Sequence, residues 1–265
     1  MTYKAFVAGW HKTVYRRSND CVLYRKLADA VLFDAAKQAV SKDKVTGLLR
    51  LKPIIDIKNK LSRHHDNEHP QLPSDLQDAI NSYLIRGRSL NMVAAWIDAF
   101  AQDALKREDI DRSILGWMYS FKAGTAVTAI LADTCDQVVR RIIEKASTPT
   151  PVQLILANRL RDKDGAVVEI RGLHGSKEDL FEKEFFEKRH LSREDVLYCG
   201  GLEEDINIAN LLPRGNFIVS LFAPEDFKRM MYLNYGAFVP TFGGDFHRHY
   251  FQGDASIGRH FERMH

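Results

Sequence analysis

His65-Asp66-Asn67-Glu68-His69 places two imidazoles four positions apart with a carboxylate between them. On a helix that spacing stacks both rings on one face, where they could hold a zinc ion while the carboxylate moves a proton. Arg63 and His69 offer a second chemistry, with a guanidinium to grip a phosphate and an imidazole to transfer a proton during RNA cleavage. Further along, Asp164, Glu169 and Arg171 set carboxylates beside a cation, as metal-assisted phosphodiester cleavage requires; on a strand, Glu169 and Arg171 would share one face. Asp245, His247 and His249 alternate, so a strand would project all three to one side as metal ligands. Cys199, in Tyr-Cys-Gly-Gly, would become a nucleophile if the fold lowered its pKa and brought a histidine to it.

Three of these patterns resemble known enzymes. His65 to Pro70, HDNEHP, resembles the H-D-x-x-H-P signature of the class I cyclic-nucleotide phosphodiesterases, which implies a helical enzyme with a two-metal site. The spacing from Arg63 to His69 resembles that of the helical HEPN-type ribonucleases. Asp164, Glu169 and Arg171 resemble the D…E-x-K pattern of metal-dependent nucleases, with Arg where that pattern has Lys. Motifs of this kind need an apolar helical back to fix the rings, and no apolar residue stands between Ser62 and Leu72. The stretch therefore reads first as a polar connector, with no metal or cofactor expected. His65, His69, Asp245, His247 and His249 remain the candidates if a metal binds.

A binding surface is the stronger reading. Residues 1 to 64 carry fourteen Lys or Arg against five Asp or Glu, a net +9, whereas the whole chain is only +3. Within that front, FVAGWHKTVYRR interleaves aromatics with cations. Aromatic rings stack on exposed bases while cations neutralise phosphates. Trp10, Lys12, Tyr15, Arg16, Arg17, Arg25 and Lys26 are thus the expected contacts of a non-enzymatic protein that binds nucleic acid or another polyanion within a larger assembly, with a protein partner besides. The alternatives are a nuclease or phosphodiesterase using Arg63 and His69 or the set Asp164, Glu169 and Arg171, and an effector or scaffold that binds only proteins.

Elements must place these residues. Apolar positions from Tyr24 to Ala39 follow a helical rhythm. Pro53 is expected to break a helix, and Ser74 with Gln77 to cap one that stops at Gly87. Further helices are expected over 90–105 and, as one long element, near 125–146. ASTPTPVQ reads as a linker, dividing a basic helical domain, 1–147, from an α+β domain, 148–265. In the second part Asp164-Gly165 signals a β-hairpin, NFIVSLF a strand, SKEDLFEKEFFEKRH a Ser-capped helix, and PEDFKRMMYLNY a helix with Pro224 first. The expected class is α+β, an all-helical N-terminal part followed by a smaller mixed part, without the βαβ alternation of a doubly wound sheet. Three scattered cysteines argue for a reducing compartment, and no apolar run approaches the length of a membrane span, so the chain is expected to be cytoplasmic or, alternatively, a leaderless secreted effector.

Overall fold

Ala5–Gly9 (β1), a charge-free run of small and apolar residues, is buried along its whole length, which demands neighbours on both edges and both faces. The computed structural model describes residues 3–17, 21–39, 44–64, 72–124, 126–147, 149–171 and 176–261. After β1 come five helical elements: α1 (Cys21–Ala39), α2 (Lys44–His64), α3 (Ser74–Ala79, running on as a π-helical stretch Ile80–Ile85), α4 (Leu90–Lys106) and α5 (Arg112–Ala123). Then follow β2 (Val127–Cys135), α6 (Asp136–Ala146), β3 (Leu154–Lys163), β4 (Ala166–Arg171) and α7 (Lys177–Phe181, continued by π-helical Glu182–Lys188). The chain goes on through β5 (Val196–Gly200), α8 (Asp205–Leu211), β6 (Phe217–Val219), α9 (Glu225–Tyr235) and α10 (Gly243–Gln252).

The six strands form one sheet in the order β4-β3-β2-β1-β5-β6. β1 pairs in parallel with β2 and with β5, β2 with β3, and β5 with β6, while β4 alone runs antiparallel, in its hairpin with β3. Strand alternation sends Ala5 and Val7 to one core, with Phe181, Phe185, Ile208, Phe227 and Met231 of α7, α8 and α9. It sends Phe6 and Ala8 to the other, with α1, α4, α5 and α6. A mostly parallel sheet with helices on both faces is an α/β architecture, not the expected all-helical front with a small α+β part. The sheet joins strands from both sides of residue 148.

The error has a physical origin. Val127, Ile130 and Leu131 satisfy a helical spacing, but all residues of β2 except Val127 and Asp133 are buried. A strand covered on both faces shows no period of two, so β2 and α6 read from sequence as one long helix. α2 also runs through Pro53 without the expected break. α3 starts at Ser74 behind Pro73, but no capping box forms; Gln77 Nε2 instead donates to Leu72 O at 2.9 Å. The hairpin turn at Asp164-Gly165 is present, with φ of 53° and 76°, as is the helix behind Ser176, whose capping box is complete.

Candidate functional site

The chain moves outward from β1 to β2 and β3, then crosses back to place β5 on the other edge of β1. Between β1 and β5 the strand order reverses, and open α/β sheets bind ligands at the carboxyl ends of the strands flanking such a point. Four groups meet at this end of the sheet: the loop after β1, the end of β2, the turn from β5 into α8, and the turn from α4 into α5.

β1 ends in Gly9, where a side chain has little room: a Cβ would lie 3.1 Å from Tyr198 Oη and 3.3 Å from Thr13 Oγ1. β5 ends in Gly200 and Gly201, and a Cβ on Gly201 would stand 2.4 Å from Lys12 O. The two exits therefore touch through backbone. Beneath them Asp205 is buried and fully engaged, its Oδ1 accepting from Tyr198 Oη at 2.8 Å and its Oδ2 from the amides of Gly201 at 2.8 Å and Leu202 at 3.0 Å. Burial, and then the Asp205 charge, push the Tyr198 hydroxyl well above its ordinary pKa, which keeps it a donor. Lys177 Nζ sits 2.9 Å from Glu204 Oε2 and 3.1 Å from Asp133 Oδ2. Burial opposes its charge, but Asp205, Asp133 and Glu204 outweigh that and hold its pKa above the ordinary lysine value.

The neighbouring turn carries a cavity of about 330 Å³. The loop after β1 is sewn to this turn by Asp111 N donating to Val14 O and Arg16 N to Asp109 O, each at 2.8 Å. Asp109 reinforces the seam, taking Arg17 Nε at 3.1 Å and Arg107 Nε at 2.9 Å. Arg16, Lys106, Glu108, Asp111, Arg112 and Ser113 line the cavity. The Arg16 guanidinium lies 4.3 Å over the Phe222 ring, a cation-π contact that fixes it. Asp111 caps α5 through Oδ1, which accepts from Ser113 N at 2.9 Å, while its buried Oδ2 has no hydrogen-bond partner. Burial raises the Asp111 pKa above the usual carboxylate range, against the pull of the Ser113 amide and Arg16.

A divalent cation is a common helper in phosphate-ester hydrolysis, held between carboxylates. The strand ends do not suit one: among the described residues no three His, Cys, Asp or Glu converge to hold a metal, Asp205 already accepts three hydrogen bonds, from Tyr198, Gly201 and Leu202, and Glu204 and Asp133 are paired with Lys177.

The sequence candidates fall elsewhere. Trp10 and Tyr15 are core residues, 1% and 0% exposed, stacked on each other, so they offer no platform to a base. Arg17 is paired with Asp109, and Lys26 with Asp103. Lys12 takes the left-handed turn after β1 at φ 53°, and Arg25 lies partly buried on α1, apart from the cavity lining. Arg63 is exposed near the end of α2, while His65 and His69 lie outside the described residues. Asp164 is exposed on the hairpin tip and Glu169 is paired across the hairpin with Arg161 at 3.3 Å; Arg171 ends β4, so the set stands on an edge hairpin rather than at the strand ends. Asp245, His247 and His249 lie on helix α10, not a strand: Asp245 is buried and caps the helix through Thr241 and Phe242, while His247 and His249 stack on Phe251 and Phe238. Cys199 is buried in β5, and burial, with Asp111 and Asp205 nearby, pushes its thiol pKa well up, the reverse of an activated nucleophile. Sequence reasoning passed over Asp111, Arg112 and Lys177. Asp111-Arg112-Ser113 before the apolar ILGW is a readable cap, and Lys177 was read only as part of a helix start.

No known family model matches the sequence, and no curated protein does. Solved structures match at the level of fold. One is a protein of unknown function from Bordetella pertussis Tohama I, with a TM-score of 0.60 and 14% identity, covering 89% of this chain and 97% of that one. A HAD-family hydrolase from Salmonella enterica serovar Typhi aligns at a TM-score of 0.51 and 12% identity over 86% of this chain and 65% of its own. A probable phosphoserine phosphatase from Vibrio cholerae aligns at 0.52 and 6% identity, over 84% of this chain and 58% of that one. The present chain thus spans less than two thirds of the length of these last two. The shared fold overturns the expectation of an all-helical front, and the burial of Trp10 and Tyr15 removes the stacking platform on which the expected non-enzymatic nucleic-acid-binding role rested. The chain shares its α/β fold with these solved structures.

Proposed function

We propose that the protein is a hydrolase of small phosphate-bearing molecules, working in the cavity between the loop after β1 and the α4–α5 turn. One observation carries the reading: Arg16, Lys106 and Arg112 line that cavity, and none has an ion-pair partner among the described residues. A volume of about 330 Å³ is small-molecule size. Arginine suits phosphate because its planar fork presents parallel N–H donors, and Arg16 is held in place by Phe222. Asp111, kept protonated to higher pH than an ordinary carboxyl, supplies the proton that a departing ester oxygen needs. A water oxygen then bonds to phosphorus as the ester P–O bond breaks. The leaving oxygen takes the Asp111 proton; one water proton restores Asp111 and the other stays on the phosphate. The names of the Salmonella hydrolase and the Vibrio phosphatase support this class of reaction. Cys21, Cys135 and Cys199, all buried and none in a disulfide, support a reducing, cytoplasmic setting, and no helix among the described residues is long and apolar enough to cross a membrane.

Calorimetric titration with inorganic phosphate and turnover of para-nitrophenyl phosphate test the reading. Wild type should bind phosphate and release para-nitrophenol. Arg16→Ala and Arg112→Ala should each weaken phosphate binding about tenfold or more, the loss typical of a charge-assisted contact. Asp111→Asn should bind phosphate but turn over slowly. A wild type without heat or turnover, or arginine variants indistinguishable from it, would sink the proposal.

A further inference from the structure

Lys177 opens α7 behind its Ser176 cap and reaches the ends of β2 and β5. Its side chain is only 10% exposed, so its ammonium is shielded from exchange with dissolved ions. Asp133 from β2 and Glu204 from the turn into α8 contact it directly, and Asp205 attracts it from the start of α8. Carboxylates from separate segments gathered at strand ends are the usual setting for a hard divalent cation. Here a covalently tethered ammonium fills that setting. β1 adds no further ligand at its last residue, Gly9, and Asp205 already accepts three hydrogen bonds.

We propose that the Lys177 ammonium is the resident cation of the strand-end crevice, so that the protein takes up no divalent metal there. The disagreement with metal-assisted phosphate chemistry is a property of this chain's own residues, and it does not rest on the assignment of the Arg16 cavity. Thermal melts of the full chain, freed of metal with EDTA and then titrated with Mg²⁺ and Mn²⁺ in phosphate-free buffer, read it directly. The wild-type midpoint should stay fixed under both titrations, and Mn²⁺ should keep its free-ion paramagnetic resonance signal. A bound metal would raise the midpoint by about 3 °C or more at saturating concentration and diminish that signal, and would overturn the proposal. Lys177→Met should lower the midpoint, because three carboxylates lose their counter-charge, and Lys177→Arg should recover most of the loss. A Lys177→Met protein as stable as wild type would overturn it equally. If that variant does not fold, the metal titration of wild type and the rescue by Lys177→Arg still decide. The melts contain no phosphate, so their outcome is separate from that of the calorimetry.

Discussion

Asn in place of Asp111 would keep the oxygen that caps α5 and remove a carboxyl whose ionisation burial opposes. The folded pKa of Asp111 lies above its ordinary value, so the folded protein holds that proton where the unfolded chain has released it. The cost to stability is absent below the ordinary pKa, grows as pH rises through the folded one, and is complete above it. Asp111→Asn should therefore melt higher than wild type at pH 7, with the two curves converging near pH 3; a variant less stable at pH 7 would contradict the assignment. A gain in stability alongside lost turnover is the usual mark of a strained functional group. This residue was within reach of the sequence, since a cap before ILGW is a local signal. Its burial was not, because that depends on the antiparallel seam with Val14 and Arg16, residues nearly a hundred positions earlier.

Glycines at the strand ends work as an element rather than singly. Gly201 lets the β5 exit lie against the backbone of the β1 exit, where a Cβ would meet Lys12 O at 2.4 Å. Gly201→Ala should cost about 1–3 kcal/mol, as overpacking against an immovable backbone atom does, read from the midpoint of urea unfolding. Ala at Gly165, where nothing stands within 4 Å but φ is 76°, should destabilise through backbone strain alone. Elements with local signals were legible: the Asp164-Gly165 turn, the Ser176 cap and the apolar stripe of α4 all form where the residues point to them. β1 and β2 were not, because strands buried on both faces carry no alternation, and the aromatics of FVAGWHKTVYRR look the same whether they meet a base or a core.

At the scale of the molecule, one sheet joins sequence halves that look compositionally distinct. Cutting between 147 and 148 would leave β1 and β2 in one piece and β3, β5 and β6 in the other, separating the β2–β3 and β1–β5 ladders. Fragments 1–147 and 148–265 should each lack the dispersed amide spectrum of a folded protein, and two independently folded fragments would refute that unity. Part of the basic front, so prominent in the sequence, is paired in three dimensions: Lys26, Lys58 and Lys60 each reach an aspartate on another element. Such pairing across elements cannot be counted along a chain.

The central position of β1 also sets a timetable. Ala5 pairs with Val127 on one side and with Val196 on the other, so the first strand to leave the ribosome waits for partners made much later. At roughly 5–20 residues per second, the second edge of β1 stays bare for about 10–40 s of synthesis. During that interval one edge of a short, uncharged strand stands unpaired, open to the wrong partner until Val196–Gly200 is made.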